Sequence, residues 1–404
     1  MKPVNKLIII LTTLLCGLVW TLPAEAMPYF ARKNGVQCSY CHTAWPQLNA
    51  KGRAFKEAGY RLPAEVGKDR SLLQLIKTFP IGAMVESNVE KKDTEDTKLH
   101  ALGEYEMFVA GPVSRKLSFW AEIEGEGEDG LNSQVGTANV AYHFNSHLNV
   151  RLAYADIFWD DPYSFLSDHF RMGNARPSVI DQNFGGSEGE EGELRRQRQM
   201  VSAYGRFFDN KLFYDVVWAA NAKDVDGADP RVAMGRLAFD ITDDIHIGGF
   251  YIDGSKGSYT TDASVGIVGG VPAVVAATFT PRADFSRYGF DGHVDYRNFR
   301  LHGAYVHARD NLNDGTGDQA NDAFSFEGFY TFKDKSGAPT WVPLIMYNNY
   351  ETTNGTKNFG EGTIQLNYYL FDNVKVTAQY FKQLDTPAGD PKNDAITLQL
   401  HAAF

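Results

Sequence analysis

Cysteine is scarce: three residues in 404, too few for a disulfide framework. Past residue 22 the chain has no apolar run long enough for a membrane-spanning helix. Basic residues are in deficit, and the net charge of -11 argues against a surface that binds nucleic acid. No catalytic triad, phosphate-binding loop or His-rich metal motif is visible. With 43% hydrophobic and 22% charged residues, disordered and collagen-like chains are excluded. What the chain has in quantity is aromatic residues, at 13%, and glycine, at 38 positions.

The ends of the first segment are legible. Lys2 and Lys6 precede the apolar stretch Leu7–Leu22, and Ala24-Glu25-Ala26 is a small-x-small cleavage site. Residues 1–26 are therefore expected to be a secretory signal peptide, leaving a chain that starts at Met27 and keeps Cys38 and Cys41. Cys16 follows the bulky Leu15, where a lipoprotein needs a small residue. Charge then changes sign along the chain. Residues 27–78 carry a net +6, and residues 79–404 a net -18. That shift marks a boundary between a small basic domain and a long acidic one.

The two cysteines stand in Cys38-Ser39-Tyr40-Cys41-His42, the attachment pattern for c-type haem. The thiols would add to the haem vinyl groups, and His42 would bind the iron as proximal ligand. A thioredoxin-like pair would need a βαβ context, which is absent. A zinc site would need further Cys or His nearby, and the next His is His100. One covalent haem c is thus expected, with the sixth iron ligand unassigned. No Met or second His lies between His42 and Thr78, and Met84, Met107 and His100 are the nearest candidates. Asn49 is expected to cap a short helix that carries Leu48, Phe55 and Tyr60 and closes at Gly59.

The remainder reads as a β-barrel. Segments of about ten residues alternate apolar and polar, as strands between lipid and lumen must. In the last one Ile396, Leu398, Leu400, Ala402 and Phe404 share one face and Thr397, Gln399 and His401 the other. Sixteen strands are expected near 79–91, 99–111, 115–127, 133–145, 147–158, 197–208, 211–223 and 229–241. The others lie near 245–254, 284–298, 299–310, 322–334, 339–351, 359–371, 374–385 and 393–404. Short links such as Asn145-Ser146, Asp209-Asn210 and Asp372-Asn373 follow the even strands, and longer ones such as 160–196 follow the odd strands. This is the parity of an outer-membrane barrel with both termini in the periplasm. The fold expected is an all-β outer-membrane barrel with a small N-terminal α-helical domain.

Two acidic runs are read as external loops: Glu188, Glu190, Glu191 and Glu193 within 186–198, and Glu122, Glu124, Glu126, Glu128 and Asp129 within 122–129. Carboxylates suit hard cations, though solvated loops would look the same. The apolar stretch Val271–Ala277 in the link 255–283 is expected to enter the barrel mouth or form an extra hairpin. One haem beside a hydrocarbon layer about 30 Å thick could not connect its two sides. A domain inserted in the lumen would shorten the path, and sixteen strands leave room for it. Arg32, Lys33, Arg53 and Lys56 could then raise the haem potential, or serve as lumen contacts.

Residues 26–60 resemble the fused monohaem cytochrome–porins of iron-oxidising bacteria. The matching elements are Ala26-Met27-Pro28-Tyr29-Phe30-Ala31-Arg32, Gly35, the haem motif, Pro46-Gln47-Leu48, Gly52-Arg53-Ala54-Phe55-Lys56 and Gly59-Tyr60. Lys33-Asn34 stands where members usually carry Gln-Thr. The resemblance implies a ferrous-iron oxidase: extracellular ferrous iron reduces the haem, and a periplasmic c-type cytochrome or other carrier takes the electron. Two alternatives stand beside it, a cytochrome–porin with a different donor or direction, and a solute porin with a haem-containing plug or sensor.

Overall fold

The computed structural model describes residues 28–68, 81–126, 132–163, 165–182, 184, 193–220, 231–256, 259–261, 264–268, 271–275, 278–280, 283–311, 317–352 and 355–404; the expected signal peptide lies outside them. The N-terminal segment holds helix α1 (Pro28–Asn34), a 3-10 turn at Cys38–Tyr40, strands β1 (His42–Ala44) and β2 (Gln47–Leu48), and helix α2 (Ala50–Glu57).

The barrel begins with β3 (Ile81–Lys92), β4 (Lys98–Pro112), β5 (Leu117–Glu126), β6 (Asn132–His143) and β7 (Asn149–Ala155). After helix α3 (Ser178–Asp181) come β8 (Arg198–Phe207), β9 (Leu212–Ala219), β10 (Val232–Thr242) and β11 (Ile245–Lys256). Four short strands follow: β12 (Tyr259–Thr261), β13 (Ser264–Val268), β14 (Val271–Val275) and β15 (Thr278–Thr280). The circuit ends with β16 (Ala283–Tyr296), β17 (Phe299–Asn311), β18 (Asp318–Tyr330), β19 (Trp341–Thr352), β20 (Lys357–Phe371), β21 (Val374–Asp385) and β22 (Ala395–Ala403).

Strands β3–β11 and β16–β22 form one closed antiparallel sheet, in which β22 pairs with β3. All sixteen expected strands are present, with their ends moved by a few residues. The apolar link after β11 makes two small ladders, β12 with β15 and β13 with β14, so an extra hairpin is the outcome there. Link lengths follow the expected parity unevenly: the turn-side link 331–340 is longer than 93–97 on the opposite side.

Alternation sets the two faces. Met107, Ile123, Leu152, Trp218, Ile247, Phe290, Ile345, Ile364 and Ile396 all point outward and are exposed. Lipid would cover such a band, and aromatic rings crowd its turn-side rim, among them Tyr142–Phe144, Tyr330–Phe332 and Trp341–Tyr368.

The lumen is occupied by two chain segments. The first is 28–68. Its own cluster of Phe30, Phe55, Tyr60 and Leu62 is small and is completed by Ala110 and Trp120 of the barrel, and Ala44 and Trp45 pack on Phe329, Val342 and Tyr369. Among the described residues the helices are short, and the segment is a plug whose packing is completed by the barrel. Its basic side chains seal it to the short-turn end. Arg61 donates to the carbonyls of Ser114 and Leu117, Arg53 to that of Asp243, and Glu57 pairs with Arg206 at 2.6 Å. Arg300 reaches inward to the Leu48 carbonyl and Thr43 Oγ1 while holding Asp295.

The second segment is the link after β7. It is expected as an external loop, but residues 156–163, 165–182 and 184 fold inward. Ile157, Phe158, Val179, Ile180 and Phe184 are fully buried against Val217, Met234, Phe250, Ile252 and Val306 of the inner wall. Asp160 pairs with Arg151 at 2.9 Å and Asp161 with Arg236 at 3.1 Å. The apolar side chains of this link gain more by packing on an apolar patch of the lumen than by standing in water.

Two outcomes are expected. Trypsin added to intact cells will spare the exposed turn lysines Lys333 and Lys335 and the inward-folded Arg171 and Arg176, while Lys333 and Lys335 will be cut from the periplasmic side. Replacing Arg300 by Ala removes the guanidinium that pairs with Asp295 and the plug contacts at Thr43, Gln47 and Leu48. It should weaken plug docking by about 3 kcal/mol, read as larger conductance steps in planar bilayers.

Candidate functional site

Asn49 organises the motif. It is the N-cap of α2, its Oδ1 accepting from the Gly52 amide at 3.0 Å, while its Nδ2 donates to the carbonyls of Ser39 and Tyr40. The capping role is the expected one, and Gly59 and Tyr60, both at positive φ, close the helix. Leu48 lies before the cap, in β2, not within the helix. The hold on the motif turn has no local sequence signal. Gly52 is required by proximity: a Cβ there would stand 2.1 Å from the Cys41 carbonyl oxygen. Helix α2 therefore lies directly against the turn that carries the cysteines.

Cys38, Cys41 and His42 face one cavity of about 350 Å³, bounded by the plug, the inner wall and the inward-folded link. Neither cysteine is in a disulfide, and Cys38 is buried. Burial pushes the Cys41 thiol up to about 11, slightly offset by Lys51. His42 Nδ1 lies 2.8 Å from the Pro46 carbonyl, a contact that makes Nδ1 the protonated nitrogen and leaves Nε2 with its lone pair. Burial pushes its pKa down to about 4 against the contacts with Pro46 and Gln47, so the ring is neutral at ordinary pH.

The cavity wall beside the motif is apolar and aromatic. Phe30 packs edge-on to Phe55 at 5.0 Å, Tyr60 lies 5.7 Å from Trp120, and Trp120 stacks on Phe108 at 5.2 Å. Two neighbouring cysteines outside any disulfide, a neutral imidazole with an available nitrogen and a flat apolar wall are the donor set and lining that a covalent haem requires.

The other candidates separate clearly. Met84 lines the cavity, and so do His169 and His401. Met107 points outward and His100 does not border the cavity. Lys56 borders it, with its amine 5.2 Å over the Trp159 ring; burial and Arg151 push its pKa down to about 8. Arg53 turns away to Asp243 and the Tyr163 ring, and Arg32 is exposed. The run 122–129 is not an external loop: residues 122–126 belong to β5, and Glu122 and Glu124 point into the cavity. Residues 127–129 and 185–192 lie outside the described residues.

His169, from the inward-folded link, meets Trp159 edge-on at 4.7 Å and lies 3.3 Å from Asp156. Burial would lower its pKa, but the Asp156 contact, with Glu122 and Asp168 near, outweighs it and lifts the value to about 9.

No protein-family model matches the chain, and no curated protein does. Among solved structures, OmpT of Vibrio cholerae, an outer membrane protein in its trimer form, is similar with a TM-score of 0.58 and 11% identity. The match covers 80% of this chain and 98% of that one. An anion-selective porin from Comamonas acidovorans matches with a TM-score of 0.57 and 14% identity, covering 80% and 98%. OmpF of Salmonella typhi, solved with daunomycin, gives 0.54 and 14%, covering 80% and 97%. The fold is thus that of the outer-membrane porins, a closed antiparallel barrel of sixteen strands.

The raised pKa of His169 has a sign. Its stabilisation of the inward-folded link is full below about 6.5 and fades as pH rises through about 9. Protonated imidazole quenches a neighbouring indole. Tryptophan emission should therefore rise between pH 8 and 10, and His169→Gln should remove that step.

Proposed function

We propose that this protein is an electron-transfer cytochrome–porin of the outer membrane. Cys38 and Cys41 attach one haem c through thioether bonds, and His42 Nε2 binds the iron. The observation that carries this reading is the placement of the whole Cys-x-x-Cys-His motif on a cavity inside the barrel. When bound, the haem supplies one-electron chemistry by cycling between ferric and ferrous states. The chain's own residues position it. The Pro46 carbonyl orients His42, Asn49 fixes the turn, and Phe30, Phe55 and Tyr60 exclude water from one side.

The resemblance over residues 26–60 makes extracellular ferrous iron the donor, which suits a one-electron carrier. The acceptor is a periplasmic c-type cytochrome or other carrier at the short-turn end, where α1 and the plug's turns are closest to water. Position inside the lumen supports this. A carrier held between the two ends of the barrel has a shorter path to each side than one beside the membrane. The porin fold favours one second reading, a solute porin whose lumen is plugged by 28–68. Swelling of liposomes in sugar solutions would identify it.

A haem-stained denaturing gel should show a band for the wild type and none for the Cys38→Ala, Cys41→Ala double variant. Adding ferrous iron to the purified protein should convert the visible spectrum to the reduced form. A stained double variant, or a haem that stays oxidised under excess ferrous iron, rejects the respective half of the reading.

A further inference from the structure

The barrel side of this cavity carries an arrangement that folding alone does not favour. Glu86 on β3, Glu104 and Glu106 on β4, and Glu122 and Glu124 on β5 all line the cavity. Glu86 stands directly across from Glu104, and Glu106 directly across from Glu124. Like charges directly opposite each other destabilise a sheet. Neutral donors reach three of these groups: Asn88 to Glu86, Trp120 to Glu122 and Gln134 to Glu124. These satisfy oxygen lone pairs and leave the charge. The cations that border the same cavity are engaged elsewhere: Arg171 pairs with Asp168, His169 with Asp156, and Lys375, the ammonium near Glu86 and His401, donates to the Met172 carbonyl. Arg176 holds Asp168 at 3.1 Å, Arg195 holds Asp181 at 2.6 Å, and Arg196 holds Glu193 at 2.7 Å.

An independent feature points to what offsets the charge. His401 on β22 borders this cavity, is only 7% exposed, and its Nε2 makes no hydrogen bond. That nitrogen lies 3.5 Å from Glu86 Oε2. A buried, unpartnered imidazole nitrogen beside a carboxylate is a donor pair for a divalent transition-metal cation.

We propose that this wall is a binding station for a hydrated divalent cation. His401 and Glu86 are its direct ligands, and Glu104, Glu106, Glu122 and Glu124 hold it by charge. No three His, Cys, Asp or Glu side chains converge on one point among the described residues, so water completes the coordination. The station faces the same cavity as Cys41 and His42. On the electron-transfer reading it is where ferrous iron waits beside the acceptor, and to that extent it rests on that reading. Cation binding itself does not need the haem.

The test uses purified full-length protein and Mn²⁺ alone, followed by electron paramagnetic resonance. Wild type should remove the free Mn²⁺ signal in a saturable way, and its bound ion should show nitrogen modulation in spin-echo traces. His401→Gln should abolish that modulation. The Glu106→Gln, Glu124→Gln double variant should weaken binding about tenfold, while Glu351→Gln, outside the cavity, should not. Gln is isosteric with Glu, and heat-modifiable gel mobility checks that each variant barrel is folded. Equal Mn²⁺ affinity in wild type and double variant, or nitrogen modulation that survives His401→Gln, overturns the station. Binding that follows these residues in a chain that carries no haem supports the station and rejects the electron-transfer reading alone.

Discussion

Everything in this molecule depends on a sheet that has no edge. Within hydrocarbon, each backbone amide and carbonyl needs a partner in the protein, because lipid offers none. Pairing of β22 with β3 meets that demand: Phe404 and Ala83 exchange backbone hydrogen bonds, and the two ends of the circuit become neighbours. Once the sheet is closed, every strand has one face in lipid and one in the lumen. The outward face must be apolar. The inward face is then free to hold arginines, carboxylates and histidines that no soluble core of this size would hold.

The two inserted segments exploit that freedom differently. The plug uses cationic side chains to grip carbonyls at the short-turn end, where the barrel's Arg206 also holds its Glu57. The inward-folded link brings its own apolar cluster and anchors it with buried ion pairs. Between the two lies a cavity lined both by aromatic rings and by carboxylates. Phe30, Phe55 and Tyr60 of the plug meet Phe108 and Trp120 of β4 and β5, and the carboxylates come from β3 and from the same inward face of β4 and β5.

Much of this was legible in the sequence because period-two alternation is a direct imprint of lipid on one face. Strand number and the Asn49 cap follow from local pattern. The inward link did not, since Phe158, Val179 and Ile180 find their partners on strands distant in sequence. Glu122 and Glu124 fall both in the expected strand 115–127 and in the run read as a loop. Their spacing of two, with Ile123 between them, places both on one face of a strand, and that period outweighs their loop-like composition. Met107, one of the nearest candidates for the unassigned sixth ligand, occupies the outward phase of β4, between the inward Glu106 and Phe108, and its neighbours specify its face.

The clamp of Asn49 on the cysteine turn also bears on the order of manufacture. Cys38 is buried where the plug meets the barrel, so an enzyme that links a bulky group to both thiols cannot work on the finished article. On the haem proposal that linkage has to be made while residues 28–68 are still an accessible tail, before the strands close around them, and their place ahead of the barrel in the sequence suits that order.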